Sequence, residues 1–111
     1  MNQTDLTVPA MADAVDIAAG GSIWILYVLK CSDNSLYTGI TNNLNNRVAR
    51  HNTGKGAKYT RSRRPVSVVA SQPAGTRSQA LKLEYRFKQL TRSQKLQHVE
   101  SQLLDFLDSA K

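Results

Sequence analysis

An apolar run at residues 23–30 constrains the fold most. It is rich in β-branched and aromatic residues, which is typical of a strand buried on both faces. Four turn-forming residues follow it, and then a second short strand at residues 36–40, so the pair predicts a β-hairpin. Side-chain alternation places Tyr37 and Gly39 on one face of the second strand. The register decides whether Tyr27 shares this face, and the sequence leaves that open.

A short helix is expected directly after the hairpin. Asn42 or Asn43 suits its N-cap, and the helix should run to about Asn52. Arg47 and His51 are four residues apart, so they are neighbours on the same side of this helix.

The second half of the chain predicts one more strand and two more helices. A basic loop is expected at residues 54–64, a third strand at residues 65–71 and another loop at residues 72–75. The capping-box pattern Thr-Arg-Ser-Gln occurs twice. It predicts one helix at about residues 77–89 and a continuous helix from Thr91 towards the C-terminus.

These elements predict a small α/β (α+β) domain at residues 22–98. Its sheet should have three strands, be largely antiparallel and be flanked by helices. Residues 1–21 are poor in aromatic side chains and end in Ala-Ala-Gly-Gly, which favours a disordered leader. Residues 99–111 are expected to form a C-terminal helical extension.

Basic charge is concentrated in the part of the chain that is expected to fold. The formal net charge is +7, and all 15 Lys and Arg residues lie beyond residue 21, with 5 of the 8 acidic residues. Between Arg47 and Lys95, thirteen basic residues accompany one carboxylate, that of Glu84. Such a domain usually binds a polyanion, so nucleic acid is the expected partner. A generic basic surface and an anionic membrane are the alternatives.

Other features of the composition bear on location. No apolar run approaches the roughly 20 residues that cross a bilayer, and the N-terminus lacks the features of a secretory signal. Cys31 is the only cysteine, so no intrachain disulfide can form. We therefore expect a cytoplasmic protein without membrane contact.

Five side chains suit the cleavage of a phosphodiester bond. That reaction needs an activator for the nucleophile, a cation for the developing charge and usually a divalent metal held by a carboxylate. The candidates are Tyr27, Tyr37, Arg47, His51 and Glu84. Each has a structural alternative: the tyrosines as core aromatics, the Arg–His pair as a solvated helix face, and the glutamate as the partner of a lysine one turn later.

The order of these residues resembles the GIY-YIG nuclease superfamily, in particular its small stand-alone bacterial members. Ile25-Leu26-Tyr27 and Tyr37-Thr38-Gly39 correspond to the two signature triplets. The helix that carries Arg47 and, four residues later, His51 corresponds to the family's helix with arginine followed by histidine or tyrosine.

Two later segments extend the resemblance, which spans about residues 24–97. Gly54-Lys-Gly-Ala-Lys-Tyr-Thr-Arg61 is similar to the basic loop of the stand-alone members, and Leu83-Glu84-Tyr85 to the segment of the metal-ligand glutamate. Where some repair-type members carry a lysine after the second triplet, this chain has Ile40. Activation of a phenolate would then depend on histidine, arginine or the metal.

The resemblance implies a role for each candidate. Tyr27 or Tyr37 acts as general base on the attacking water, while the other positions water or phosphate. Arg47 stabilises the charge on the scissile phosphate, and His51 supports proton transfer or the phosphate. Glu84 binds one Mg²⁺ or Mn²⁺, which stabilises the leaving oxygen.

The basic loop is the expected path of the nucleic acid. Its cationic side chains should contact phosphates, its one aromatic could stack on a base, and Gly39 leaves room beside the site. The predicted nucleic-acid-binding residues are Gly39, Lys55, Lys58, Tyr59, Arg61, Arg63 and Arg64.

We therefore expect a metal-dependent endonuclease that hydrolyses DNA phosphodiester bonds, with a preference for structured or damaged DNA that would suit repair. The alternative is a non-catalytic module of the same fold that binds DNA or RNA. A third hypothesis is an adaptor whose helix at residues 94–111 docks a partner. The sequence identifies no protein partner.

Overall fold

The fold is a three-stranded antiparallel sheet with helices on both faces, which confirms the predicted class. A computed structural model describes residues 23–109, so the predicted leader at residues 1–21 lies outside the described part. None of the described helices has the length and apolar character needed to cross a membrane. The strands are β1 (Trp24–Lys30), β2 (Leu36–Thr41) and β3 (Ser67–Gly75), and the helices are α1 (Leu44–Asn52), α2 (Lys58–Arg61), α3 (Arg77–Lys88), α4 (Arg92–Glu100) and α5 (Leu104–Ser109).

Strand β1 is central in the sheet order β2-β1-β3, and its register answers the question that the sequence left open. Tyr27 pairs with Gly39, and Leu29 pairs with Tyr37. Directly paired residues, and residues two apart on one strand, point to the same face of a sheet. Tyr27, Tyr37 and Gly39 therefore share one face.

The two faces of β1 bury separate cores. On one face, Leu26 and Val28 are fully buried together with Phe87 of α3. On the other face, Tyr27 and Leu29 are fully buried, and α1 packs there through Leu44 and Val48. The uninterrupted apolar run predicted this burial on both faces.

The third strand differs from its prediction. It begins two residues later and extends through residues 72–75, so the predicted loop at that position was wrong. Pro73 lies opposite Ile25, next to a shift of register between β1 and β3. Outer strands and bulges tolerate proline, because its missing N–H interrupts no required pairing. The proline therefore marks an irregularity in β3 and not its end.

The prediction of one continuous C-terminal helix was also wrong. Helix α4 ends at Glu100, and Gln102 and Leu103 have positive φ angles of 56° and 67° before α5 begins. This turn brings Leu103 into the core beside Leu26, where it is fully buried. Residues predicted as a C-terminal extension thus pack against the sheet. Likewise, the predicted basic loop is interrupted by the four-residue helix α2.

Thr76 and Thr91 cap α3 and α4 through complete capping boxes, as predicted. Each hydroxyl accepts a backbone N–H from the glutamine three residues later at 3.2 Å. We expect Thr76→Ala and Thr91→Ala each to lower the free energy of unfolding by about 1 kcal/mol. Urea denaturation measures this loss. Ser78→Ala, an exposed change in the first turn of α3, is the control, and an equal loss there would contradict the capping role.

Candidate active site

Tyr27 lies at the centre of the candidate site, and its side chain is fully buried. Its Oη is 3.0 Å from Nε2 of His51 and accepts a hydrogen bond from Nε of Arg47 at 3.4 Å. The ring of Tyr37 lies 6.5 Å from that of Tyr27 and 5.1 Å from that of His51, measured between centroids. Two strands and α1 therefore bring four of the five predicted residues together.

Gly39 is required by the close approach of Tyr27. A Cβ atom at Gly39 would lie 2.6 Å from Oη and 2.7 Å from Cζ of the Tyr27 side chain. Any larger residue would displace that hydroxyl from its two partners. The prediction assigned Gly39 to nucleic-acid binding because it leaves room, and in the structure this room is taken by Tyr27.

His51 does not lie on a solvated helix face, although that was the alternative for it. Its side chain is fully buried on α1, and Nδ1 lies 2.8 Å from Oγ1 of Thr60, which is also fully buried. Burial, and secondly the charge of Arg47, lower the pKa of His51 from 6.5 to about 4. The imidazole is therefore neutral at pH 7.

The surroundings of Tyr27 favour its protonated form. Burial is the largest effect that raises its pKa, and the charges of Tyr37 and Glu84 add to it. The hydrogen bond and charge of Arg47 act in the opposite direction but do not prevail. Tyr27 therefore carries its proton at neutral pH. The same hydrogen bond from Arg47 to Tyr27 is the largest cause of the raised pKa of Arg47.

Glu84 approaches this cluster from α3. Its carboxylate is 19% exposed and pairs with Nζ of Lys88 at 3.2 Å, so the structural alternative also holds. Lys88 was not predicted as a site residue, yet its Nζ lies 5.9 Å from the ring centroid of Tyr37.

The donor set allows one hard divalent cation at Glu84. Among residues 23–109, no group of three or more His, Cys, Asp and Glu side chains could hold a metal. Mg²⁺ does not need such a group, because it keeps several waters and is commonly bound by one or two carboxylates together with substrate phosphates. The single carboxylate of Glu84 therefore fits Mg²⁺ or Mn²⁺ when substrate phosphates supply further oxygens, provided that Lys88 gives way.

The predicted nucleic-acid-binding side chains fall into two groups. Arg63 bonds Asp33 at 3.1 Å and lies 4.0 Å from the ring centroid of Tyr59, while Arg64 donates to backbone oxygens at residues 61 and 52. Tyr59 itself stacks on Tyr37 with a centroid separation of 6.1 Å. The second group consists of Lys55, Lys58 and Arg61, whose side chains are exposed.

Residues 23–97 match a model of the GIY-YIG catalytic domain. This chain belongs to the GIY-YIG family. A UPF0213 protein of Bacillus velezensis is 58% identical over 74 residues, which cover 67% of this chain and 75% of the relative. UPF0213 protein YazA of Bacillus subtilis is 51% identical over the same length, with the same two coverages. A solution NMR structure of an E. faecalis protein matches 72% of this chain and 85% of that chain, with 43% identity and a TM-score of 0.52.

Membership of the GIY-YIG family confirms the resemblance seen in the sequence. The family is one of nucleases that act on DNA, generally with divalent metal ions. The UPF0213 relatives carry names that state no activity. The role of each side chain therefore depends on the geometry described above.

Protonation of His51 should destabilise the fold. The unfolded chain binds this proton near pH 6.5, whereas the folded chain binds it near pH 4. The stability contribution is therefore complete above pH 6.5 and declines as the pH falls from 6.5 to 4. We expect the free energy of unfolding to fall by up to about 3 kcal/mol over this window. Urea denaturation at several pH values measures the change.

Two histidine variants separate this effect from other titrations. His51→Gln should lose this part of the pH dependence. His98→Gln should keep it, since His98 lies on α4 and pairs with Asp105. An unchanged pH dependence in His51→Gln would show that His51 is not the responsible group.

Proposed function

We propose that this chain is a metal-dependent endonuclease that hydrolyses DNA phosphodiester bonds. One observation supports the proposal most: the Arg47 guanidinium is held by a buried tyrosine beside a second, partly exposed tyrosine. A cation fixed in this way can stabilise negative charge on a phosphate without reorganising during the reaction.

Tyr37 is the better candidate for the residue that faces the attacking water. Tyr27 is fully buried and already bonds Arg47 and His51, whereas the side chain of Tyr37 is partly exposed. In this proposal Tyr37 acts as a phenolate that accepts the proton of the attacking water, and Arg47 binds the scissile phosphate. Tyr27 and His51 hold the guanidinium in position.

Glu84 is the proposed ligand of one Mg²⁺ or Mn²⁺. When bound, the metal supplies a Lewis acid for the charge that develops on the leaving oxygen. The ammonium of Lys88 pairs with Glu84 and lies 5.9 Å from the ring centroid of Tyr37, so it can neutralise the carboxylate before substrate binds.

The proposed substrate is DNA that contacts the exposed cations Lys55, Lys58 and Arg61. So small a catalytic module offers little surface for reading sequence, and we propose a preference for branched, flapped, nicked or damaged DNA. Equal cleavage rates on these substrates and on plain duplex DNA would contradict that preference.

Nicking of supercoiled plasmid tests the proposed function. With Mg²⁺ or Mn²⁺, we expect wild-type protein to nick the plasmid and a chelator to stop it. Glu84→Gln, Arg47→Ala and Tyr37→Phe should each lower the rate at least about 100-fold, because each removes a group that acts on the transition state. Binding of DNA, measured separately without metal, should persist.

Matched controls accompany these variants. Glu100→Gln changes an exposed carboxylate on α4, and Arg50→Ala changes an exposed arginine on α1; both should nick at near the wild-type rate. Binding without cleavage of plasmid, branched DNA or RNA would favour the non-catalytic module. Cleavage that persists in Glu84→Gln would exclude Glu84 as the metal ligand.

Phosphate contacts by Lys55 and Lys58 should appear in the salt dependence of DNA binding. The slope of log K against log salt concentration is negative, and each lost contact reduces its magnitude by about 0.9. We therefore expect Lys55→Ala/Lys58→Ala to reduce the magnitude of the slope by about 2 relative to wild type. Fluorescence anisotropy at several salt concentrations measures it. The charge-matched control, Lys82→Ala/Lys95→Ala, lies on α3 and α4, and an equal change there would indicate a general charge effect.

A further inference from the structure

We infer that Thr60 is a positioning residue for Arg47 and that it acts through His51 and Tyr27. The four side chains form one hydrogen-bonded series, with separations of 2.8, 3.0 and 3.4 Å from Thr60 to Arg47. The inference rests on the proposed function only for the task of Arg47. The order of the protons in the series can be measured without any cleavage assay.

The hydroxyl of Thr60 determines which nitrogen of His51 carries the proton. Oγ1 of Thr60 donates its single proton to the backbone oxygen of Ala57 at 3.0 Å. Towards His51 it can therefore act only as an acceptor, so Nδ1 must be the protonated nitrogen. Nε2 of the neutral ring is then an acceptor, and it is the atom that faces Tyr27.

The donor and the acceptor in each of the next two hydrogen bonds follow from the protons that each group carries. The Tyr27 hydroxyl donates to Nε2 of His51, which leaves its oxygen lone pairs for another donor. The Nε–H group of Arg47 can only donate, and it is directed at this oxygen. Thr60 thereby fixes the imidazole tautomer, the imidazole fixes the rotation of the phenolic O–H, and the phenolic oxygen fixes the guanidinium.

If donors and acceptors were exchanged along the series, the buried hydroxyl of Tyr27 would be left without an acceptor. If Thr60 donated to Nδ1 of His51, then Nε2 would carry the proton and donate to Tyr27. The Tyr27 hydroxyl would then need another acceptor, and none is found for it among the residues that the structure describes. Because Tyr27 is fully buried, bulk water cannot replace that acceptor.

Gly56 independently supports a close fit between His51 and the basic loop at residues 54–64. A Cβ atom at Gly56 would lie 2.5 Å from Nδ1 and 2.7 Å from Cγ of the imidazole. Only glycine lets the chain pass so near the ring, and α2 begins two residues later and carries Thr60. The basic loop thus supplies Thr60, the buried partner of His51, as well as the cations proposed to contact DNA.

Ring ¹⁵N chemical shifts of His51 test the inference directly. In wild-type protein at pH 7, we expect the pattern of a neutral imidazole protonated on Nδ1. Tyr27→Phe should keep that tautomer, because Thr60 still sets it, but the Arg47 Nε–H should exchange faster with solvent. A wild-type ring protonated on Nε2 would overturn the inference.

Substitution of Thr60 tests the same series from its other end. Thr60→Val should shift the His51 tautomer, speed the exchange of the Arg47 Nε–H, and lower kcat for nicking about 10- to 100-fold with little change in KM. Thr60→Ser keeps the hydroxyl and should restore all three. The control is Thr38→Val, a buried threonine on the other face of the sheet.

The outcomes separate this inference from the proposed function. If Thr60→Val keeps the tautomer and the exchange rate of Arg47, the inference is wrong. If Thr60→Val does not fold, the inference is still tested by the His51 ring ¹⁵N shifts of the wild-type protein, Thr60→Ser and Tyr27→Phe. If wild-type protein cleaves no DNA while the tautomer behaves as expected, the nuclease proposal fails and the hydrogen-bonded series stands.

Discussion

The arrangement of the candidate site depends on the hydrogen bond between Tyr27 and His51. Both side chains are fully buried, so neither can lose its partner without a desolvation penalty. The bond joins the central strand to α1. Two glycines, one on β2 and one beside His51, are needed because larger residues would overlap these rings. The position of Arg47 depends on the same bond, because its guanidinium donates to the Tyr27 hydroxyl that also bonds His51.

The fold could be predicted where local patterns decide it. The hairpin, the burial of β1 on both faces and the two capping boxes were correct, because each depends on residues close in sequence. The length of β3 was missed, because its pairing with β1 overrides the usual meaning of a proline. The break before α5 was missed for a similar reason: two positive φ angles at non-glycine residues are maintained by burial of Leu103, which no local signal records.

The candidate site divides in the same way. Its tyrosines, Arg47 and His51 could be named from their order and chemistry, and they do converge. The burial of His51 could not be predicted, because an Arg–His pair one turn apart is equally typical of a solvated face. The sequence did not indicate a role for Thr60. A threonine in the basic loop has no distinctive chemistry, and its role depends on the contact with His51 that the structure shows. The structure therefore adds how the named residues are supported.

The irregular outer strand has a consequence for the behaviour of the protein in concentrated solution. A three-stranded sheet has two edge strands, and an unpaired edge is a template on which strands of other molecules can assemble. Pro73 cannot donate a hydrogen bond, and the pairing of β3 with β1 shifts register beside it. The edge formed by β3 is therefore a poor template for the addition of a strand from another molecule.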